Sequence, residues 1–203
     1  MIGPHVPSPI GHAVAGLATA WTADLFPGDR AWRFAPPGTS RFKRAGGALT
    51  LFSAALAAAP DLDLLFNRHR TVTHSVGAVL VVALLAAVFA ATASLPIGRV
   101  TLMCASAYAT HLLLDWLGAD STPPYGIQAL WPISKAWYIS NLDLFPETVR
   151  RLPFAPSTLR QNALTVAQEL AILGPFTLGV WLVRVKTSAR LSTQLPSGNH
   201  SAK

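Results

Sequence analysis

Hydrophobic residues in this chain fall in long uninterrupted runs and do not alternate with polar ones. The clearest run, Val76 to Leu95, contains twenty residues without a charge. At about 1.5 Å of rise per residue, a helix of that length spans roughly the 30 Å hydrocarbon core of a bilayer. Val100 to Leu117 and Ala163 to Val183 form two further runs of spanning length, and we expect Pro175 to kink the second.

Two weaker apolar segments come earlier in the chain. They are Ile10 to Phe26, and Ala45 to Ala59, a run of small residues that Pro60 ends. Small side chains let helices pack closely in a membrane. The five segments together predict an all-α integral membrane bundle of about five helices, with a polar site at one end. The predicted membrane domain covers residues 1–186, and residues 187–203 are predicted to form a disordered polar tail.

The composition also indicates a membrane protein. Of the 203 residues, 51% are hydrophobic and 12% are charged, whereas about a quarter of an average soluble domain is charged. The length fits one domain. The formal net charge of +7 is compatible with nucleic-acid binding, but the chain has no dense basic stretch interleaved with aromatic residues. We therefore expect no nucleic-acid partner.

Neither a disulfide nor a cleaved leader is expected. The single cysteine, Cys104, lies inside an apolar segment, which excludes an intrachain disulfide and a thiolate metal site. The N-terminus lacks the charged region, short apolar core and small-residue cleavage site of a signal peptide.

Basic residues give the expected orientation. If all five segments cross the membrane, ten Lys and Arg residues lie on the side of segment 24–44 and the C-terminal tail, and six lie on the other side. The positive-inside rule places the ten in the cytoplasm. The connection from Gly118 to Asn162, rich in proline and aromatic residues, is then external and is expected to lie along the membrane surface.

The unusual polar residues fall at the external ends of the segments. Four are histidines and four are acidic: His12, Asp61, Asp63, His69, His74, His111, Asp115 and Glu169. Ionisable groups in a bilayer are costly and normally face the bundle interior or a watery cavity. Because hydropathy and basic residues define the topology, the convergence of these groups is partly independent support for a site.

His111 and Asp115 are four residues apart, so on a helix they share one face. This spacing lets an imidazole and a carboxylate reach one metal ion, or lets the carboxylate orient the histidine. The alternative is a polar helix end whose groups are hydrogen-bonded at the interface.

Asp61 and Asp63 present two carboxylates directly after the second segment. A turn capped by proline and aspartate is the simpler explanation for this pair alone. The sequence leaves two roles open for His12, a metal ligand or a histidine at the membrane interface. For Glu169, the cost of a charge inside the membrane favours a functional role.

The stretch from His69 to Ser75 carries two histidines, one arginine and three hydroxyls ahead of a spanning helix. Thr73 or Ser75 is a suitable N-cap for that helix. The guanidinium of Arg70 matches phosphate geometry, so Arg70 either holds an anionic oxygen or neutralises one of the preceding aspartates.

Imidazoles and carboxylates without cysteine suit Zn²⁺, Mn²⁺ or Fe, and we expect Zn²⁺ first. The number of candidate ligands is sufficient for two ions. Paired metals of this kind activate water and stabilise displacements, typically at phosphorus.

Four motifs in order, SPIGHAVAG, PDLDLLFNRHRTVTHS, HLLLDWLGADSTPPYG and LWPIS, resemble a bacterial family of inner-membrane metal-dependent hydrolases, some described as LexA-regulated. The resemblance covers roughly residues 8–185. It implies a multi-pass inner-membrane protein. The characteristic positions that it implies are His12, Asp61, Asp63, His69, Arg70, Thr73, His74, His111 and Asp115. A weaker likeness in ligand layout is to all-helical zinc phospholipases C and nucleases.

The expected function is metal-dependent hydrolysis of a phosphoester or a lipid-borne substrate at the periplasmic side. Metal-activated water would be the nucleophile, Asp61 or Asp63 would bridge metals or act as general base, and Arg70 would stabilise the anion. The alternative is a membrane protein without catalytic activity that binds or transports metal ions.

Overall fold

A computed structural model describes residues 7–23, 25, 46–66, 70–149 and 152–193, with side chains through residue 186. These residues form five α-helices: α1 (Pro9–Ala23), α2 (Gly47–Ala58), α3 (Val76–Thr92), α4 (Ile97–Leu117) and α5 (Pro156–Thr193). Two isolated β-bridges are the extent of β-structure in this part of the chain. The predicted all-α fold is confirmed.

Helices α1 and α4 lie at the centre of the bundle. Helix α4 contacts α1, α2 and α3, and α1 also contacts α2 and α5. Small residues make the α1–α2 contact close: a Cβ added at Gly16 would lie 2.6 Å from the Ser53 carbonyl oxygen and 2.7 Å from the Cβ of Ala57. Close packing of small residues brings helix backbones together as membrane helices require.

Within the described residues, three stretches are long and apolar enough to cross a membrane: Gly47–Phe66, Ile97–Leu117 and Pro156–Lys186. The first joins α2 to a 3₁₀-helix, Ala59–Phe66. Pro60 lacks an amide hydrogen, so it fits a change of hydrogen bonding at this point, but the helical path continues beyond it. The carboxylates of the Asp-Leu-Asp motif therefore lie on a helical extension, where we had expected a turn.

Helix α3, from the clearest apolar run, is shorter than expected. It has 17 residues and ends at Thr92, not Leu95. The cause is a Schellman-type cap, in which the Leu95 amide donates to the Ala90 carbonyl at 2.8 Å and Ser94 takes a left-handed φ of 54°. Helix α1 has 15 residues.

Helix α5 is longer than expected at both ends. It begins at Pro156, ahead of the apolar run, and continues past Lys186 to Thr193 with Pro175 inside it. The start of the predicted polar tail is thus helical, and residues 194–203 lie outside the described residues. So do residues 26–45, which carry five of the basic residues used for the orientation.

The connection between α4 and α5 packs on the end of the bundle where α4 ends and α3 begins. The first amides of α3 donate to it: Val76 to the Ala129 carbonyl at 2.8 Å, and Gly77 to the Trp131 carbonyl at 3.2 Å. This largely irregular segment therefore covers the end at which the polar residues gather.

Candidate metal centre

Five of the predicted site residues meet at this end of the bundle. His12 lies at the start of α1, Asp61 on the 3₁₀-helix after α2, and His74 in the short 3₁₀ turn before α3. His111 and Asp115 lie near the end of α4. Their nitrogen and oxygen atoms form two buried sets, each within 4.8 Å: His12, His111 and Asp115, and Asp61, His74 and His111. Helices and connections distant in sequence thus bring together side chains that an apolar bundle would otherwise exclude.

Four atoms of the cluster lie at separations close to those between ligands around one ion. Nε2 of His74 and Nε2 of His111 are 3.0 Å apart. Oδ2 of Asp115 lies 3.2 Å and 3.3 Å from these two nitrogens. Oδ1 of Asp61 lies 3.9 Å and 3.7 Å from them. Tetrahedral ligands at about 2.0–2.1 Å from an ion are about 3.3–3.4 Å from one another, so these separations fit a small divalent cation.

His111 is oriented by a backbone carbonyl. Its Nδ1 lies 2.7 Å from the Ala57 oxygen. A carbonyl can only accept, so Nδ1 carries the proton and Nε2 keeps its lone pair toward the cluster. Both sets of potential ligands therefore share one available nitrogen of His111.

His74 is oriented by Asp63. Its Nδ1 lies 3.2 Å from Oδ2 of Asp63, and the Thr73 hydroxyl donates to the same oxygen at 2.5 Å. Burial lowers the pKa of His74, but the nearby carboxylates of Asp115 and Asp63 outweigh burial and raise this pKa to about 9. Asp63 thus contacts the far side of a ligand histidine and is in neither ligand set.

The N-cap of α3 is Ser75, whose hydroxyl accepts from the Ala78 amide at 3.1 Å. Thr73, the other candidate N-cap, does not cap this helix, and its hydroxyl donates to Asp63 instead.

His12 and Asp115 complete the cluster. Nε2 of His12 lies 3.4 Å from Oδ1 of Asp115, and the His12 ring stacks on His111 with centroids 3.8 Å apart. Both ring nitrogens of His12 and both carboxylate oxygens of Asp115 are buried without a well-formed hydrogen bond among the described residues. Such groups are rare in native proteins because they are costly. A bound cation would satisfy them, so these residues fit a metal.

Arg70 is buried and forms an ion pair with Asp120, a residue for which sequence spacing predicts no role. Asp120 also accepts from the amides of Gly126 at 2.6 Å and Thr122 at 3.0 Å. Arg70, Asp120 and Asp115 line a cavity of about 10 Å³, close to the room that one water molecule needs.

Glu169 lies outside both ligand sets. It is fully buried on α5, and its two oxygens accept from the backbone amide of Ser8, at 2.6 Å, and from the Ser8 hydroxyl. Ser8 was not among the predicted site residues. The signal that could have indicated it is a serine followed by proline, which is common at the start of a helix. His69, the remaining predicted ligand, lies outside the described residues.

A family model described as YdjM inner membrane protein matches residues 8–188. The chain belongs to this family. The match begins at Ser8 and includes every residue of the cluster. It confirms the resemblance of the motifs to a bacterial inner-membrane family, and with it the inner-membrane assignment. No curated protein and no solved structure matches the chain significantly.

Proposed function

We propose that this YdjM-family chain is a membrane-embedded metal-dependent hydrolase with one divalent cation, Zn²⁺ in the first instance. The observation that supports it most is the close approach of three buried potential ligand atoms, Nε2 of His74, Nε2 of His111 and Oδ2 of Asp115, which lie 3.0–3.3 Å from one another. The proposed ligands are His74, His111 and Asp115, which leave a fourth position for water, with Asp61 and His12 beside them. The number of candidate ligands in the sequence is sufficient for two metal ions. One is favoured because the two sets share a single His111 nitrogen.

The chemistry that such an ion supplies is Lewis acidity, which makes water nucleophilic near neutral pH and stabilises negative charge. Asp63 is engaged with His74, so the general-base role passes to Asp61, whose oxygen lies farthest from the two histidine nitrogens. Arg70 lies beside the cavity next to Asp115, where a guanidinium would stabilise an anionic oxygen of a phosphoester or lipid-borne substrate.

A role in metal transport is the competing function. Transport needs polar side chains across the whole bilayer, but a buried cluster near the start of α4 consists of Val100 and Cys104 with Ala86 and Ala90 of α3. This one-sided placement of polar groups favours a hydrolytic site.

Metal analysis of the detergent-purified protein tests the proposal. We expect about one equivalent of a divalent transition metal in the wild type and close to none in a His74→Ala, His111→Ala double variant. The exposed Asp143→Asn variant is the control and should keep the metal. A metal-free wild type after expression in metal-replete medium would remove the metallohydrolase proposal.

We further propose that the site faces the periplasm, because ten basic residues belong to the opposite side if all segments cross. Reporter fusions after Gly118 and after Arg190 should report periplasm and cytoplasm, respectively. The reverse result would invert the orientation and leave the site itself intact.

A further inference from the structure

We propose that Glu169 is a positioning residue that clamps the start of α1 and so holds His12 against Asp115. Its effect on metal binding rests on the proposed function, whereas the clamp rests on hydrogen-bond geometry alone. This role differs from direct metal ligation, the role that the sequence suggests for Glu169.

The clamp consists of Glu169 and Ser8. The carboxylate accepts two hydrogen bonds from Ser8, through its backbone amide and its hydroxyl. The same hydroxyl oxygen accepts from the Gly11 amide at 3.0 Å, so Ser8 is the N-cap of α1. Glu169 therefore places a carboxylate at the N-terminal end of a helix, where the helix dipole favours negative charge.

Gly11 makes this approach possible. A Cβ at Gly11 would lie 2.7 Å from Oε2 of Glu169 and 2.8 Å from its Cδ, closer than side-chain atoms tolerate. The first turn of α1 and the side chain of Glu169 are thus fitted to each other.

His12 is the residue whose position depends on the clamp. Its backbone amide donates to the Ser8 carbonyl at 3.2 Å. His111 and His74 are oriented through their own ring nitrogens, by Ala57 and Asp63. The ring nitrogens of His12 make no such orienting bond among the described residues. Its ring is therefore placed by the backbone of α1, by stacking on His111 and by its contact with Asp115.

A double-mutant cycle on Zn²⁺ affinity tests whether Glu169 acts through His12. Glu169→Gln preserves shape but replaces one accepting oxygen with a donor, and we expect it to weaken Zn²⁺ binding about tenfold. In a His12→Ala background the same change should have no further effect. A general structural defect would weaken binding equally in both backgrounds, and that result would overturn the proposal.

The neighbouring Gln168→Ala is the matched control, since Gln168 is exposed and its amide donates to the Leu144 carbonyl. Its Zn²⁺ affinity should equal that of the wild type. If Glu169→Gln does not fold, Ser8→Ala replaces it in the cycle with the same expected outcome.

A second cycle, on thermal unfolding of the metal-free protein, pairs Ser8→Ala with Glu169→Gln. The clamp predicts that the two changes together lower the midpoint by less than the sum of their separate effects, and strictly additive effects would refute it. A wild type that binds no added Zn²⁺ would overturn the proposed function and the role of His12 together, while additivity in the metal-free cycle would overturn the clamp alone.

Discussion

Helix α4 passes through two different interiors. Near its start, Val100 and Cys104 pack with the alanines Ala86 and Ala90 of α3. Near its end, His111 and Asp115 are equally buried, among other ionisable side chains. The bundle can therefore fill its interior with small apolar residues, and the polar end is not required by packing. Buried ionisable groups cost stability in a membrane, which points to a function for the end that holds them.

The largest expected difference between the two ends concerns the Arg70–Asp120 ion pair. Asp120→Asn removes the charge from a buried pair, so we expect it to lower the free energy of unfolding by about 3–5 kcal/mol. At the apolar end, Cys104→Ala deletes one buried sulfur atom and should cost about 1 kcal/mol. Denaturation in mixed micelles measures both. Equal midpoints for the two variants would show that the ion pair contributes no more than ordinary packing.

A smaller effect is expected at Asp115, and it should appear in binding more than in stability. Asp115→Asn keeps the shape and removes an anionic ligand, so metal affinity and hydrolysis should fall by about 10–100-fold. The fold should be retained, because asparagine fills the same space and removes a charge whose burial in a membrane is costly. Hydrolysis of phosphomonoester, phosphodiester and phospholipid substrates with added Zn²⁺ or Mn²⁺ gives the comparison.

The control for that variant is Asp143→Asn, an exposed carboxylate on the α4–α5 connection. Asp120 is unsuitable as a control because it forms the buried ion pair with Arg70. Unchanged metal affinity in Asp115→Asn would make Asp115 an interfacial polar residue.

A pH dependence of stability is also expected at the polar end. Folding raises the pKa of His74 from 6.5 to about 9, so the protonated ring stabilises the metal-free fold below pH 6.5. That contribution is lost as the pH rises through about 9. The unfolding midpoint of metal-free protein should therefore fall between these values, and His74→Gln should flatten the slope. A midpoint independent of pH in the wild type would contradict the ion pairs assigned to His74.

Much of the cluster could be predicted because its residues occupy helix ends, which hydropathy locates well. His111 and Asp115 share a face by spacing alone, and alternating topology brings His12 and His74 to the same end. The individual partners could not be predicted. Arg70 pairs with Asp120, which lies beyond α3 and α4 in an irregular connection whose path has no sequence periodicity. Asp61 and Asp63 take different roles because the chain stays helical after Pro60.

The lengths of the helices also could not be predicted from hydropathy. Apolar composition predicted a spanning run through Leu95, but the cap at Ser94 depends on backbone conformation, which hydropathy does not encode. Similarly, the apolar run within α5 does not predict how far the helix extends into the polar residues on either side. Helix formation propagates along the chain beyond the apolar run.

The bonds from Val76 and Gly77 to the α4–α5 connection imply an order of events during synthesis. Helix α3 enters the membrane long before its first amides can meet the carbonyls of Ala129 and Trp131, which are translated later. His74 lies directly before those amides, so its final position is set only after α4 and the connection have emerged. The nascent chain must therefore complete its fourth helix before the polar cluster exists, so the metal that we propose for this cluster would be loaded late in the biogenesis of the protein.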